Sequence, residues 1–123
     1  MAAGEYLKLA AANLRRAALT MQQNIADLRH DLTHSEQSIR QQIDEMNRRI
    51  NDHNQQMARA DKSDESRAEH LRENMHLDSE IVNRKHELNR YREQIQQQII
   101  NQQREIEGLN SQASQLEQRA GSV

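Results

Sequence analysis

Apolar residues recur along this chain in alternating steps of three and four, the spacing that places them on one face of an α-helix. In the N-terminal half the pattern runs from Leu14 to Ile39 without losing phase, and in the C-terminal half it runs from Leu88 to Ala120. This is the heptad pattern of a coiled coil, in which helices bury a shared apolar seam. The sequence therefore predicts two long helices that pack against each other.

The two patterns mirror each other about the middle of the chain, just after Ser63. Leu32 and Ile95 lie equally far from that point, and so do Ile50 and Leu77, where the heptad phase slips by one residue in both halves. Matching slips tie the halves to one register, because a plain heptad pattern could be shifted by a whole heptad and still fit. A chain folded back on itself brings such positions together. We therefore predict an all-α fold, a long antiparallel two-helix coiled-coil hairpin.

The predicted hairpin is a single domain covering residues 1–123, with one helix at about 4–60, a turn at about 61–66 and a second helix at about 67–119. We assign the apolar residues at core positions to an interaction seam: Leu14, Met21, Ile25, Leu28, Leu32, Ile39, Ile43, Met46, Ile50, Leu77, Ile81, Leu88, Ile95, Ile99, Ile106, Leu109 and Leu116. The predicted turn holds side chains that accept hydrogen bonds from free backbone amides. These are Asp61, Ser63, Asp64 and Ser66.

The residues around the predicted turn give further detail. Ser66 and Glu69 have the spacing of a capping box, which would open the second helix. Leu71 and Met75 fit the first helix better if the register slips by one close to the turn. No glycine follows the first helix to end it, which keeps one continuous parallel coiled coil as an alternative fold.

The composition indicates that the hairpin does not stand alone. Hydrophobic residues make up 34% of the chain, only two residues are aromatic, and there is no proline to interrupt a helix. Two helices bury a single seam, which is thin support for so long a structure. Val82, Tyr91 and Ile100 lie beside seam positions and widen the apolar stripe of the second helix. We expect self-association into a helical bundle, with a dimer of four helices favoured.

Histidine is the residue type that raises the question of a metal site. His30 and His34 are four residues apart on one helical face, and Glu73 and His76 have the E-x-x-H spacing of di-iron helical bundles. Leu32 lies between the first pair and Met75 within the second, so each pair flanks an apolar position instead of pointing into a core. We assign no metal ligand, no cofactor and no catalytic residue, and we expect no enzymatic activity. His53 occupies a core position as a tolerated polar layer.

Charge and hydropathy argue against nucleic acid and membrane as partners. The net charge is −2, and the basic pairs are scattered among acidic residues without aromatic side chains between them, which argues against nucleic acid. No apolar run approaches the roughly 20 residues of a membrane span, and the N-terminal segment lacks the apolar centre of a signal peptide. A cytoplasmic location is therefore favoured.

The sequence is typical of a structural or interaction protein. We expect a non-enzymatic coiled-coil scaffold or adaptor that presents helix faces and hairpin ends to protein partners. An alternative of another class is a nucleic-acid- or ribosome-associated helical factor that uses the basic pairs. A weaker alternative is a metal-binding bundle of the di-iron type.

Overall fold

The computed structural model describes residues 2–59 and 63–123, and within them the fold consists of two long helices. Helix α1 covers Ala3–Met57 and helix α2 covers Asp64–Gly121. The helices pack against each other as a hairpin, which confirms the predicted all-α class. The alternative of one continuous helix does not form, because α1 ends at Met57 and a separate helix begins at Asp64.

Helix α2 begins ahead of its predicted start. The backbone N–H of Ser66 donates a hydrogen bond to Oγ of Ser63 at 3.1 Å, so Ser63 is the capping residue. Asp64 and Ser66, predicted in the turn, therefore lie in the first turn of α2, and the predicted capping box at Ser66 is wrong. Asp64 and Glu65 place negative charge at the helix N-terminus, where it is favourable. Asp61, the remaining predicted turn residue, lies outside the described residues.

The helix pair divides into two compact units, each built from a segment of α1 and a segment of α2. The first unit combines residues 2–31 with 93–123, and alanines occupy much of its seam. Ala11, Ala18 and Ala113 are at most 2% exposed. Such small side chains let the backbones approach, and a Cβ atom added at Gly4 would lie 3.2 Å from the backbone oxygen of Ala120.

An ion pair joins the two helices of the first unit at its surface. Nε of Arg15 donates to Oε1 of Glu117 at 2.6 Å, and another guanidinium nitrogen donates to Oγ of Ser114 at 3.3 Å. This hydrogen bond lowers the pKa of the Glu117 carboxyl below its ordinary value. Both side chains are close to half exposed, so the pair fixes the alignment of the helices more than it stabilises them.

The second unit covers residues 32–92 and has its own apolar core. Met46 from α1 packs with Leu77 and Ile81 from α2, and Ile43 and Ile50 pack against this cluster. Further from the turn, Nε of Arg92 donates to Oε1 of Glu36 at 3.2 Å and links the helices.

The predicted seam residues all lie at buried or half-buried positions. Those that are buried are Ile25, Met46, Leu77, Ile81, Ile95, Ile99 and Ile106. Those that are half-buried are Leu14, Met21, Leu28, Leu32, Ile39, Ile43, Ile50, Leu88, Leu109 and Leu116. Glu36 and Arg92, which bond across the helices, lie nearly equidistant from the boundary between Ser63 and Asp64, as the mirror pattern requires.

The register slip predicted near the turn is wrong. Leu71 and Met75 are 53% and 62% exposed, whereas Asn74 is buried and His70 is half-buried. His70 and Asn74 precede Leu77 by seven and three residues, so α2 simply keeps its heptad phase. Shifting that phase to bury Met75 would turn Leu77 out of the apolar core.

Truncating one seam leucine tests the register. We expect Leu77→Ala to lower the free energy of unfolding by about 2–3 kcal/mol, because it leaves a cavity in the core of the second unit. Leu19, which is 62% exposed, offers the matched control. Leu19→Ala should change stability by less than about 0.5 kcal/mol. Urea unfolding of both variants measures the difference, and equal losses would contradict the observed seam.

Candidate functional site

The seam of the second unit changes from apolar to polar as it approaches the turn. His53 follows Ile50 by one helical step of three and lies beside Asn54, while His70 and Asn74 share one face of α2. We refer to His53, Asn54, His70 and Asn74 as the polar cluster. Both helices contribute to it. The heptad phase places His53, His70 and Asn74 where apolar side chains would otherwise meet, and Asn54 lies exposed beside them.

Two imidazole rings meet inside the polar cluster. Nδ1 of His53 and Nδ1 of His70 are 2.7 Å apart, with ring centroids at 4.9 Å and planes inclined by 48°. A hydrogen bond at this distance requires one Nδ1 to carry a proton and the other to offer its lone pair. Two imidazolium rings would direct N–H groups at each other.

An asparagine pair completes the polar cluster. Nδ2 of Asn74 donates to Oδ1 of Asn54 at 3.0 Å. Asn74 is 5% exposed, and its own Oδ1 accepts no hydrogen bond from the protein. A buried carbonyl oxygen without a partner costs about 1–3 kcal/mol. The polar cluster therefore lowers the stability of this part of the helix pair and holds an acceptor that the protein leaves unused.

Arg67 closes the end of α1 beside the polar cluster. Its Nε donates to the carbonyl oxygen of Met57 at 3.1 Å, and its Nη2 donates to that of Arg59 at 3.0 Å. These carbonyls belong to the last turn of α1 or follow it, where no helical partner is available. A guanidinium from α2 thus takes the role that a glycine cap usually has. The sequence analysis missed this role, because the contact depends on the fold bringing α2 back to α1.

A solvent-accessible cavity opens beside the two imidazoles. It is lined by His53, Glu69, His70, Arg72, Glu73 and His76. The lining contains both carboxylates and cations, so its charge is mixed. At its edge, Nε2 of His76 lies 3.2 Å from Oε1 of Glu80.

The spaced histidine patterns singled out in the sequence lie on the exposed surface of the helices. His30 and His34 are both exposed, and so are Glu73 and His76 of the E-x-x-H pattern. Within residues 2–59 and 63–123, no group of three or more His, Asp or Glu side chains is arranged to hold a metal ion. The pair that does meet, His53 with His70, joins different helices, so spacing along one helix does not predict the contact itself.

A second feature of the same region is apolar and faces outward. Leu71, Met75 and Val82 are 53%, 62% and 50% exposed, and we call them the outer stripe. At about 100° per residue they lie within roughly 40° of one another around α2, and away from the seam face. In the same stretch of helix, polar side chains therefore point inward and apolar ones outward.

Comparison with known proteins identifies no relative. No known family, curated protein or solved structure matches this chain. In the part of the chain that the structure describes, neither helix has a stretch apolar enough to cross a membrane. The polar cluster and the outer stripe are the features of the described residues that bear on function.

Removing the guanidinium cap tests the role of Arg67. We expect Arg67→Ala to lower the free energy of unfolding by about 1 kcal/mol, because two carbonyls lose a charged donor at a partly exposed site. Arg67→Lys keeps the charge but loses the forked geometry, so it should lie between the wild type and the alanine variant. Chemical denaturation gives the energies, and faster amide exchange over the last turn of α1 locates the effect. Unchanged exchange there would contradict the cap.

Replacing either member of the asparagine pair should change the free energy of unfolding, in opposite directions for Asn74 and Asn54. Asn74→Leu removes the unpartnered oxygen and extends the apolar seam, so it should raise the free energy of unfolding by about 1 kcal/mol or more. Asn54→Leu leaves the buried Asn74 amide without its acceptor. This variant should therefore lower the free energy of unfolding by a similar amount. Urea unfolding of the two variants measures both changes. A destabilised Asn74→Leu variant would show that the buried amide is better satisfied than its contacts indicate.

Proposed function

We propose that this chain is a non-enzymatic helical interaction protein, a coiled-coil scaffold that pairs with a second copy of itself through the outer stripe of α2. The observation that supports the proposal is the exposure of three large apolar side chains on one helical face. Polar residues occupy the seam of the same helical stretch. No arrangement of a nucleophile, a base and an enclosed pocket in the described residues supports an alternative based on catalysis.

The outer stripe aligns three exposed apolar side chains on one helical face. Single exposed apolar residues are common in folded proteins and need no explanation. This chain, however, is strongly hydrophilic, with a mean hydropathy of −1.13, so apolar residues are scarce. Aligning Leu71, Met75 and Val82 on one face is the pattern by which one helix packs against another. Met75 at the centre is unbranched and adapts to an irregular contact.

The spacing of the outer stripe fits a two-fold pairing of identical helices. In an antiparallel pair centred between Met75 and Asp78, Leu71 of each copy lies opposite Val82 of the partner subunit. The two Met75 side chains then meet near the axis. Such an interface uses the same surface on both copies and closes on itself. This self-complementary spacing is the reason for favouring a second copy over an unrelated helix. The contact would also add apolar burial to a hairpin whose own seam is narrow.

Mass measured against concentration tests the pairing. We expect the wild-type chain to form a dimer and Met75→Asp to shift it to monomer, because the charge would be desolvated at the centre of the contact. Leu19→Asp is the matched control, since Leu19 on α1 is as exposed as Met75. Sedimentation equilibrium of the three proteins measures the shift. A dimer that Met75→Asp leaves intact would rule out the outer stripe as the contact surface. A wild-type monomer would overturn the pairing of two copies, and the outer stripe would then be open to a helix of another protein.

Cross-linking gives an independent readout of the axis. The chain contains no cysteine, so one introduced thiol reports one position. Met75→Cys should form a disulfide-linked dimer on mild oxidation, because the two copies of residue 75 lie near the axis, whereas Leu19→Cys should stay largely monomeric. Equal cross-linking of the two variants would indicate random collision.

A further inference from the structure

We propose that His53 and His70 form a binding site for a divalent late first-row transition-metal ion of the Zn²⁺ type, which links α1 to α2 next to the turn. This site is independent of the pairing proposed above. The observations that support it are the contact between two ring nitrogens from different helices and the open cavity beside them. Neutral imidazole nitrogen is a preferred ligand of these ions.

The two Nδ1 atoms are close to the arrangement that a shared metal ion requires. Zinc–nitrogen bonds of 2.0–2.1 Å at a tetrahedral angle place two ligating nitrogens roughly 3.3 Å apart. In the metal-free protein the distance is 2.7 Å, so the rings need to separate by only a few tenths of an ångström. Both rings are half-buried and border the cavity, which leaves room for that movement.

The proton balance is simple. In the metal-free pair, one ring carries its proton on Nδ1 and donates it to the other ring. When the ion binds, that ring keeps a single proton but holds it on Nε2, so both Nδ1 lone pairs face the metal. Neutral rings therefore bind the ion without net loss of a proton, and a protonated pair would release one.

Other groups nearby suit the rest of the coordination shell. Two histidines leave further positions for water, and Glu69 and Glu73 line the same cavity. Either carboxylate would reach the ion only after its side chain rotates, since no three potential ligands converge among the described residues.

The site is tested by titrating the full chain, without an affinity tag, with Zn²⁺ in a calorimeter. We expect one ion per chain. His53→Gln and His70→Gln should each weaken binding by roughly tenfold or more, because each removes one of two protein ligands. The double variant His30→Gln and His34→Gln is the matched control, since it removes the other closely spaced histidine pair at an exposed site. Circular dichroism establishes that each variant retains its helices.

A spectroscopic readout on the unaltered protein makes the test independent of the variants. Nitrogen-15 spectra of the imidazoles should show Zn²⁺ at Nδ1 of two histidines, with both protons on Nε2. Absence of Zn²⁺ binding by the wild type would overturn the proposal. So would binding that survives both single substitutions or that disappears in the control.

Discussion

The fold depends on the burial of one narrow apolar seam between two helices. A long helix in water gains most of its stability from packing its apolar face, since the backbone hydrogen bonds and propensity alone leave it marginal. In the described part of this chain each helix has one neighbour to pack against, so residues such as Leu77 and Ala113 supply most of the buried apolar surface. The local composition of the seam therefore sets the local stability of each unit.

The two units use that seam differently. In the first unit, small alanines allow close approach of the helices, and an exposed ion pair between Arg15 and Glu117 aligns them. In the second, an apolar cluster around Met46 adjoins the polar cluster, whose buried Asn74 lacks a full set of partners. Polar residues in a coiled-coil-like seam weaken packing, but they restrict which register and which partners are compatible. The polar cluster therefore adds specificity where it subtracts stability.

Heptad spacing is enough to predict the hairpin, because helical side chains repeat with a fixed period and the mirror point limits the register. The helix cap near the turn does not follow from the heptad spacing alone. Ser63 and Ser66 are both competent caps, and choosing between them depends on where α1 ends, which Arg67 helps to fix from the other helix. His70 and Asn74 were missed because exposed Leu71 and Met75 are the more apolar residues. Asn74 and His70 lie three and seven residues before Leu77, so the heptad phase carried back from Leu77 places both at core positions.

The inward polar cluster and the outward stripe have one common cause. Asn74 and Met75 are separated by about 100° around α2, so only one of them can face α1 at a time. A helix is rigid about its axis, and Leu77 and Ile81 are held against Met46 one to two turns away. Rotating α2 to bury Met75 would turn those residues out of the apolar cluster with Met46. The apolar cluster around Met46 thus determines which face of α2 is buried at the polar cluster. As a result, α2 carries hydrogen-bonding side chains on its inner face and exposed apolar side chains on its outer face within the same few turns.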